Sequence, residues 1–177
     1  PRSTLFPYTT LFRSRSGKEV MSHEIETMFS VRKKPWHYEM TKNYVKLIQE
    51  APTSEEALKA AGLDWEVLSK PVFDEKGIPI PGYAANTRDA DGSVLGIVSN
   101  RYQIVQNKEA FDFTDALIED GMRYETAGSL RGGKQVWLLG QLPKKYIAGD
   151  ETEQYICFTN THDGSGAVRV CLTPVRV

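Results

Sequence analysis

Hydrophobic and polar residues alternate in short runs along most of the chain, and this two-residue period is typical of β-strands. The pattern predicts strands at residues 65–73, 82–88, 93–98, 101–106, 122–130, 134–142, 155–159 and 167–173. Glycine-containing turns separate neighbouring runs, as at residues 89–92 and 131–133. Consecutive strands joined by such turns form antiparallel hairpins.

Helical spacing of hydrophobic residues occurs in fewer places. It predicts short helices at residues 40–50, 53–61 and 107–119. The second has the clearest boundaries, because Thr53 and Glu56 have the spacing of a capping box and Gly62 can end the helix. Asn107 is the expected N-cap of the third helix.

These elements predict an α+β fold: a mainly antiparallel sheet of hairpins with two or three short helices. No glycine fingerprint for nucleotide binding follows a predicted strand. The strand at 134–142 is apolar on both faces, since Val136 and Leu138 alternate with Trp137 and Leu139. We expect it to be central and covered on both sides.

The charge pattern divides the chain near residue 20. Residues 1–20 have a net charge of +3, which leaves −4 for residues 21–177. The first sixteen residues repeat Thr-Leu-Phe, contain no acid and resemble a translated sequencing adapter. We interpret residues 1–20 as an artefactual or disordered leader, and 21–177 as the N-terminal part of one α+β domain. The last strand ends without a turn, so we expect the domain to be truncated there.

Composition limits the possible classes of protein. The 40% hydrophobic and 25% charged residues are ordinary for a globular protein. The chain has two cysteines, Cys157 and Cys171, which imply no disulfide framework. We expect both to be small residues of the core. We expect the protein to lie in a bacterial cytoplasm, where thiols stay reduced. No run is long enough to span a membrane. A mildly acidic domain can bind nucleic acid only through a local basic patch.

Arginines and tyrosines recur in and beside the predicted strands. A sheet that carries both can hold a single nucleic-acid strand, with guanidinium groups on phosphates and rings on bases. The candidate residues are Arg101, Tyr102, Arg123, Tyr124, Arg131, Lys134, Arg169 and Arg176. The alternative is that these positions are solvated strand residues and core tyrosines.

The loop at residues 160–166 is the other candidate site. It places Asn160, His162, Asp163 and Ser165 beside two glycines, Gly164 and Gly166, which let a backbone approach a ligand closely. The same residue types are common in structural turns, and no nucleophile elbow surrounds the serine. We therefore assign no catalytic residue. The histidines and cysteines lack the spacing of metal ligands, so we expect neither a metal nor a cofactor.

Five segments together resemble the phage/plasmid-like protein family classed as domain of unknown function 932. They are residues 21–36, 51–65, 94–107, 111–130 and 160–177. In the family, the Pro-Trp-His motif leads into a glycine-containing turn, whereas here His37 is followed by Tyr38. The resemblance implies a mobile genetic element and a longer chain, and it implies no settled activity.

The leading hypothesis is an accessory protein of replication or recombination that binds single-stranded DNA. The alternative is a module that binds host or phage proteins, such as a counter-defence factor. An enzyme that uses the 160–166 loop ranks third. Each remains open at the level of the sequence.

Overall fold

A computed structural model describes residues 24–31, 45–51, 53–147 and 149–176 of the chain. The predicted leader, residues 1–20, and the segment around His37 lie outside this part. The domain boundary at Met21 therefore stays a prediction.

Strands dominate the described residues. In chain order the elements are β1 (Ile25–Ser30), β2 (Val45–Leu47), α1 (Ser54–Ala61), β3 (Val67–Phe73), β4 (Pro79–Arg88), β5 (Val94–Ser99), α2 (Asn107–Asp112), α3 (Asp115–Glu119), β6 (Arg123–Leu130), β7 (Gln135–Ile147), β8 (Asp150–Thr161) and β9 (Arg169–Arg176). The helical residues thus form two segments, one at α1 and one that is divided into α2 and α3.

The strands form two sheets. The larger has the order β2-β1-β6-β7-β8-β9, and the smaller has the order β3-β4-β5. Neighbouring strands are antiparallel except β1 and β2, which are parallel. The predicted strand-rich α+β class with mainly antiparallel pairing is confirmed. The prediction of one sheet was too simple, because the hairpins divide between two.

The strand β7 lies in the middle of the larger sheet, and its two faces differ in burial. Val136 and Leu138 are fully buried, whereas Trp137 and Leu139 on the opposite face are half-buried. We call the face of β6–β9 that carries Trp137 and Leu139 the open face. The central position of the strand is confirmed, but complete cover on both sides is not observed.

The core lies on the opposite face of the larger sheet. There the sheet packs against α1, α2 and the inner side of the smaller sheet in one continuous cluster. Its members include Phe29, Ala57, Leu58, Val67, Leu95, Phe111, Ala127, Val136, Leu138 and Phe158. Burial of this apolar surface is the main force that holds the two sheets together.

The best-defined predicted helix is present as α1. The side chain of Thr53 accepts a hydrogen bond from the Glu56 N–H at 3.2 Å, and Gly62 ends the helix in the left-handed region with φ of 67°. Ala57, Leu58 and Ala61 are buried. Capping and spacing were local signals, so the sequence alone located this helix.

Two predicted elements were wrong. Residues 45–47, expected to be helical, form the strand β2, because Val45 pairs with Met28 of β1. Residues 101–106, expected to form a strand, are irregular. The chain turns there because the Tyr102 N–H donates to the Ser99 carbonyl at 2.9 Å. Tertiary pairing decided the first segment and a local turn decided the second, since short runs have weak intrinsic preference.

The predicted helix 107–119 is interrupted at its middle. Between α2 and α3, the Thr114 hydroxyl donates to the Phe111 carbonyl at 2.6 Å and also contacts the Tyr124 hydroxyl. The N-cap is Gln106, whose N–H donates to the Glu109 carboxylate at 3.0 Å. The expected cap, Asn107, is instead a fully buried residue of α2.

The cysteines do not lie in the core. Cys157 on β8 is half-buried and Cys171 on β9 is exposed. Both occupy the open face, because they pair with Leu139 and with each other.

Candidate functional site

The loop at residues 160–166 lies between the two sheets, and its histidine is fully buried. His162 has 0% of its surface exposed. Its N–H donates to the Lys134 carbonyl at 2.8 Å, and its carbonyl accepts from the side-chain amide of Asn86 at 2.8 Å. Since Asn86 belongs to β4 and Lys134 precedes β7, one residue connects both sheets.

The imidazole of His162 is oriented by Asn107. Its Nε2 lies 3.0 Å from the Asn107 Oδ1, while the Asn107 Nδ2 donates to the carbonyls of Leu63 and Trp65 at 3.1 and 3.4 Å. Because the amide nitrogen is used by these carbonyls, the amide oxygen must accept from the ring. The neutral ring therefore carries its hydrogen on Nε2. The buried Nδ1 has no hydrogen-bond partner among the described residues.

Burial keeps this imidazole uncharged. Burial lowers the pKa of His162, the carboxylate of Asp163 partly opposes this, and the positive Arg88 adds to it, so that the pKa is about 4. A general base must reach its substrate within hydrogen-bond distance, and a fully buried ring is closed to a substrate in this conformation. The geometry is that of a structural residue that joins two sheets.

An aromatic and ionic cluster surrounds the histidine. The Trp65 ring meets the His162 ring edge-on with centroids 5.4 Å apart, and the Arg88 guanidinium lies 4.6 Å from the centre of the Trp65 ring. Arg88 also donates two hydrogen bonds to Glu26, at 2.8 and 2.9 Å. This two-pronged ion pair ties β4 to β1, and therefore the smaller sheet to the larger.

Two glycines permit these close approaches. A Cβ on Gly133 would lie 2.0 Å from Nη2 of Arg88, and a Cβ on Gly96 would lie 2.5 Å from Cα of Asp163. Sequence reasoning missed Asn86, Arg88 and Gly96, and it interpreted Asn107 as a helix cap, because no local signal marks a residue that acts across the sheet junction. The histidine itself was identified as a candidate, since it lies in a glycine-rich loop.

The remaining candidate residues of the loop make structural hydrogen bonds. Asn160 is buried and its amide donates to the distant Val105 carbonyl at 3.1 Å. Half-buried Asp163 accepts from the N–H of exposed Ser165 at 2.9 Å, which is a local turn contact. None of these hydrogen bonds pairs a nucleophile with a base.

The open face brings together some of the candidate basic residues. Register places Gly128, Trp137, Thr159 and Arg169 in one row across β6 to β9. Arg123 lies on the same face, opposite Gln141. Side chains of directly paired residues point to the same side of a sheet, and both arginines are exposed.

The other candidate basic residues lie around this face or away from it. Exposed Arg131, in the turn before β7, donates to the Gln135 side chain at 3.0 Å, so it borders the open face. Lys134 is half-buried in the same turn. Arg101 is exposed in the turn after β5, on the other sheet. The backbone of Arg176 pairs with Thr152.

The two candidate tyrosines are anchored by their hydroxyl groups. Tyr124 is 4% exposed, stacks on Phe111 at 6.5 Å, and bonds the Thr114 hydroxyl. Burial raises its pKa to about 12. The half-buried Tyr102 donates to the Thr161 carbonyl. Trp137, for which the sequence predicted cover on both faces of its strand, shares the open face with the exposed arginines. Tyr155 lies on the same face, in the row of Arg123, but it is buried.

Two features are absent from the described residues. Across residues 24–31, 45–51, 53–147 and 149–176, no three His, Cys, Asp or Glu side chains are grouped so that they could hold a metal ion. In the same part of the chain, no helix combines the length and the apolar character that crossing a bilayer requires.

The described residues define a strand-rich α+β protein in which a polar loop with a buried histidine joins two mainly antiparallel sheets. Residues 94–177 match the family described as Domain of unknown function (DUF932). This confirms the family resemblance over β5 to β9, which include the 160–166 loop and most of the open face. No curated protein and no solved structure matches the chain.

Proposed function

We propose that this protein binds single-stranded nucleic acid on the open face of its larger sheet, as an accessory of replication or recombination in a mobile genetic element. The observation that carries the proposal is the placement of Trp137 between three arginines. Arg169 lies in its row, Arg123 lies on the same face, and Arg131 borders it through Gln135.

The spacing of Trp137 and Arg169 across the sheet suits a single strand of nucleic acid. Trp137 and Arg169 are two strands apart, which is about 10 Å. A ring in the middle of a sheet can stack on a base while guanidinium groups on either side hold phosphates. A duplex would not expose base faces to Trp137. The arrangement therefore favours single strands.

Local charge supports the same partner. The chain as a whole has a net charge of −1, so long-range attraction to a polyanion is weak. Glu151 and Glu153 share Lys144, at 2.9 and 3.6 Å, and Glu153 approaches the open face beside Tyr155. Local attraction for phosphates must therefore come from Arg123, Arg131 and Arg169 around Trp137.

The test is fluorescence anisotropy of a labelled single-stranded oligonucleotide, titrated with the full chain across a salt series. Three phosphate contacts predict that the logarithm of the association constant falls with the logarithm of salt with a slope of about −2. A hairpin duplex of the same length should bind more weakly. Absence of binding at low salt, or equal binding of the duplex, would refute the proposal.

A second candidate function is supported by the outer face of the smaller sheet. There Leu68, Tyr83, Val94 and Ile97 are 39%, 57%, 57% and 59% exposed, and register groups them around Lys70. Contiguous exposed apolar side chains are typical of protein interfaces. We infer a partner protein with an apolar surface and a carboxylate opposite Lys70, as in the host-protein or phage-protein hypothesis.

The variant Ile97→Lys tests this second function. A host protein captured by the wild-type chain should be lost with Ile97→Lys and kept with Lys76→Ala, which alters an exposed turn residue of the same sheet. The captured protein must then bind as a purified component. Equal capture by Ile97→Lys and wild type would exclude this face.

A further inference from the structure

The two cysteines face each other across neighbouring strands. Cys157 of β8 and Cys171 of β9 are direct partners in the antiparallel register, so their side chains lie on the same face. The Cys171 thiol is 3.6 Å from the Cys157 carbonyl oxygen, which shows that its side chain turns toward β8. Both thiols are free.

This placement fits disulfide geometry without a change of backbone. Directly opposed residues of antiparallel strands have Cα atoms about 4.5 or 5.5 Å apart. Disulfide-bonded cysteines have Cα separations of about 4.4 to 6.8 Å. Rotation of the side chains is therefore sufficient to bring the two sulfur atoms together.

The two thiols differ in accessibility. Cys171 is exposed at the strand that ends the sheet order, so a soluble oxidant can reach it. Cys157 is half-buried, and burial together with the neighbouring Cys171 thiol raises the pKa of Cys157 to about 11. Reactivity follows exposure and thiolate character, which makes Cys171 the first thiol to react.

We propose that Cys157 and Cys171 form a reversible disulfide under oxidation by a peroxide, which links the edge strand β9 to β8. The Cys171 sulfur attacks one peroxide oxygen, the O–O bond breaks, and one water leaves, so that Cys171 becomes a sulfenic acid. The Cys157 sulfur then attacks the Cys171 sulfur, and the hydroxyl leaves as a second water. Two thiols are oxidised while one hydrogen peroxide is reduced to two waters.

A small dithiol reduces this disulfide and so reverses the oxidation. Two thiolates of dithiothreitol displace the protein sulfurs in turn and return both cysteines to the reduced state. The link depends only on the register of β8 and β9, so it forms whether or not the open face binds nucleic acid.

Peptide mapping tests the link. The reduced full chain is treated with hydrogen peroxide, its remaining thiols are blocked with N-ethylmaleimide, and the protein is digested with trypsin. Cleavage after Lys145, Arg169 and Arg176 gives one peptide for each cysteine, 146–169 and 170–176. The expected result is a cross-linked pair of these peptides from monomeric protein, which separates after dithiothreitol.

Two serine variants provide controls, with circular dichroism as the check that each folds. Without oxidant, Cys157→Ser should be alkylated quickly at Cys171, and Cys171→Ser should be alkylated slowly at Cys157. Neither variant should give the cross-linked peptides. The proposal is overturned if oxidised wild type keeps two alkylatable thiols, or if it forms disulfides only between chains.

Discussion

The Asn107 side chain holds the buried imidazole of His162 at 3.0 Å, across 55 positions of sequence. The same amide satisfies two carbonyls that precede β3. One asparagine thus fixes the ring of the residue whose backbone bonds connect the larger sheet to the smaller one.

Replacement of Asn107 by alanine should lower the free energy of unfolding by about 3 kcal/mol or more. The variant leaves the ring N–H of His162 and two carbonyls without their partner, and each unsatisfied buried group costs about 1 to 3 kcal/mol. Urea unfolding followed by circular dichroism measures the change. Lys108→Ala, at the next and exposed position of α2, is the matched control and should change little.

Acid should destabilise the fold through His162. In the unfolded chain the imidazole takes a proton below about pH 6.5, whereas in the fold it does so only near pH 4. The unfolded state therefore binds more protons between these values, and the stability present above pH 6.5 is lost as the pH falls toward 4. The expected loss is roughly 3 kcal/mol.

Unfolding midpoints measured from pH 7 to pH 4 for the wild type and His162→Gln test this. Glutamine can bond Asn107 but does not titrate, so its curve should be flatter than that of the wild type over this window. Parallel curves for the two proteins would contradict the prediction.

Gly133 should tolerate a side chain much less than its neighbour Gly132. Both have positive φ, at 81° and 66°, so alanine costs each about 1 kcal/mol in backbone strain. A Cβ at Gly133 also collides with the Arg88 guanidinium, whereas one at Gly132 meets nothing within 4 Å. Because Arg88 must leave Glu26, Gly133→Ala should cost about 2 kcal/mol more. Equal melting temperatures for the two variants would show that Arg88 is not constrained there.

Trp137 and the arginines of the open face should affect nucleic-acid binding differently. Trp137→Ala should weaken binding of a single-stranded oligonucleotide about tenfold or more at every salt concentration, because base stacking is lost. Trp137→Phe should retain most of the affinity. Anisotropy titrations provide the measurement, and circular dichroism checks that each variant folds.

Removal of an arginine should change the salt dependence instead. Arg169→Ala or Arg123→Ala should each reduce the slope by about 0.7, since one phosphate contact is lost. Lys76→Ala removes one positive charge from an exposed turn of the other sheet and should leave the slope unchanged. If Lys76→Ala reduced the slope equally, the net charge of the protein, and not a defined binding site, would determine the salt dependence.

The sequence determined the elements whose signals are local. Thr53, Glu56 and Gly62 located α1, and alternation with glycine turns located the hairpins of β4–β5 and β6–β7. The resemblance identified the family that residues 94–177 match. These signals can be recognised in a short segment of the sequence, because capping, turn geometry and side-chain period depend on only a few neighbouring residues.

The tertiary structure alone decided what distant residues do together. It paired Val45 with Met28 and so made a strand of an expected helix. In the tertiary structure His162 is buried against Asn107, and Trp137 lies on a half-exposed face. Cys157 lies opposite Cys171 on the neighbouring strand. Strand order and register set these contacts, and they depend on the packing of the whole core, which no local pattern encodes.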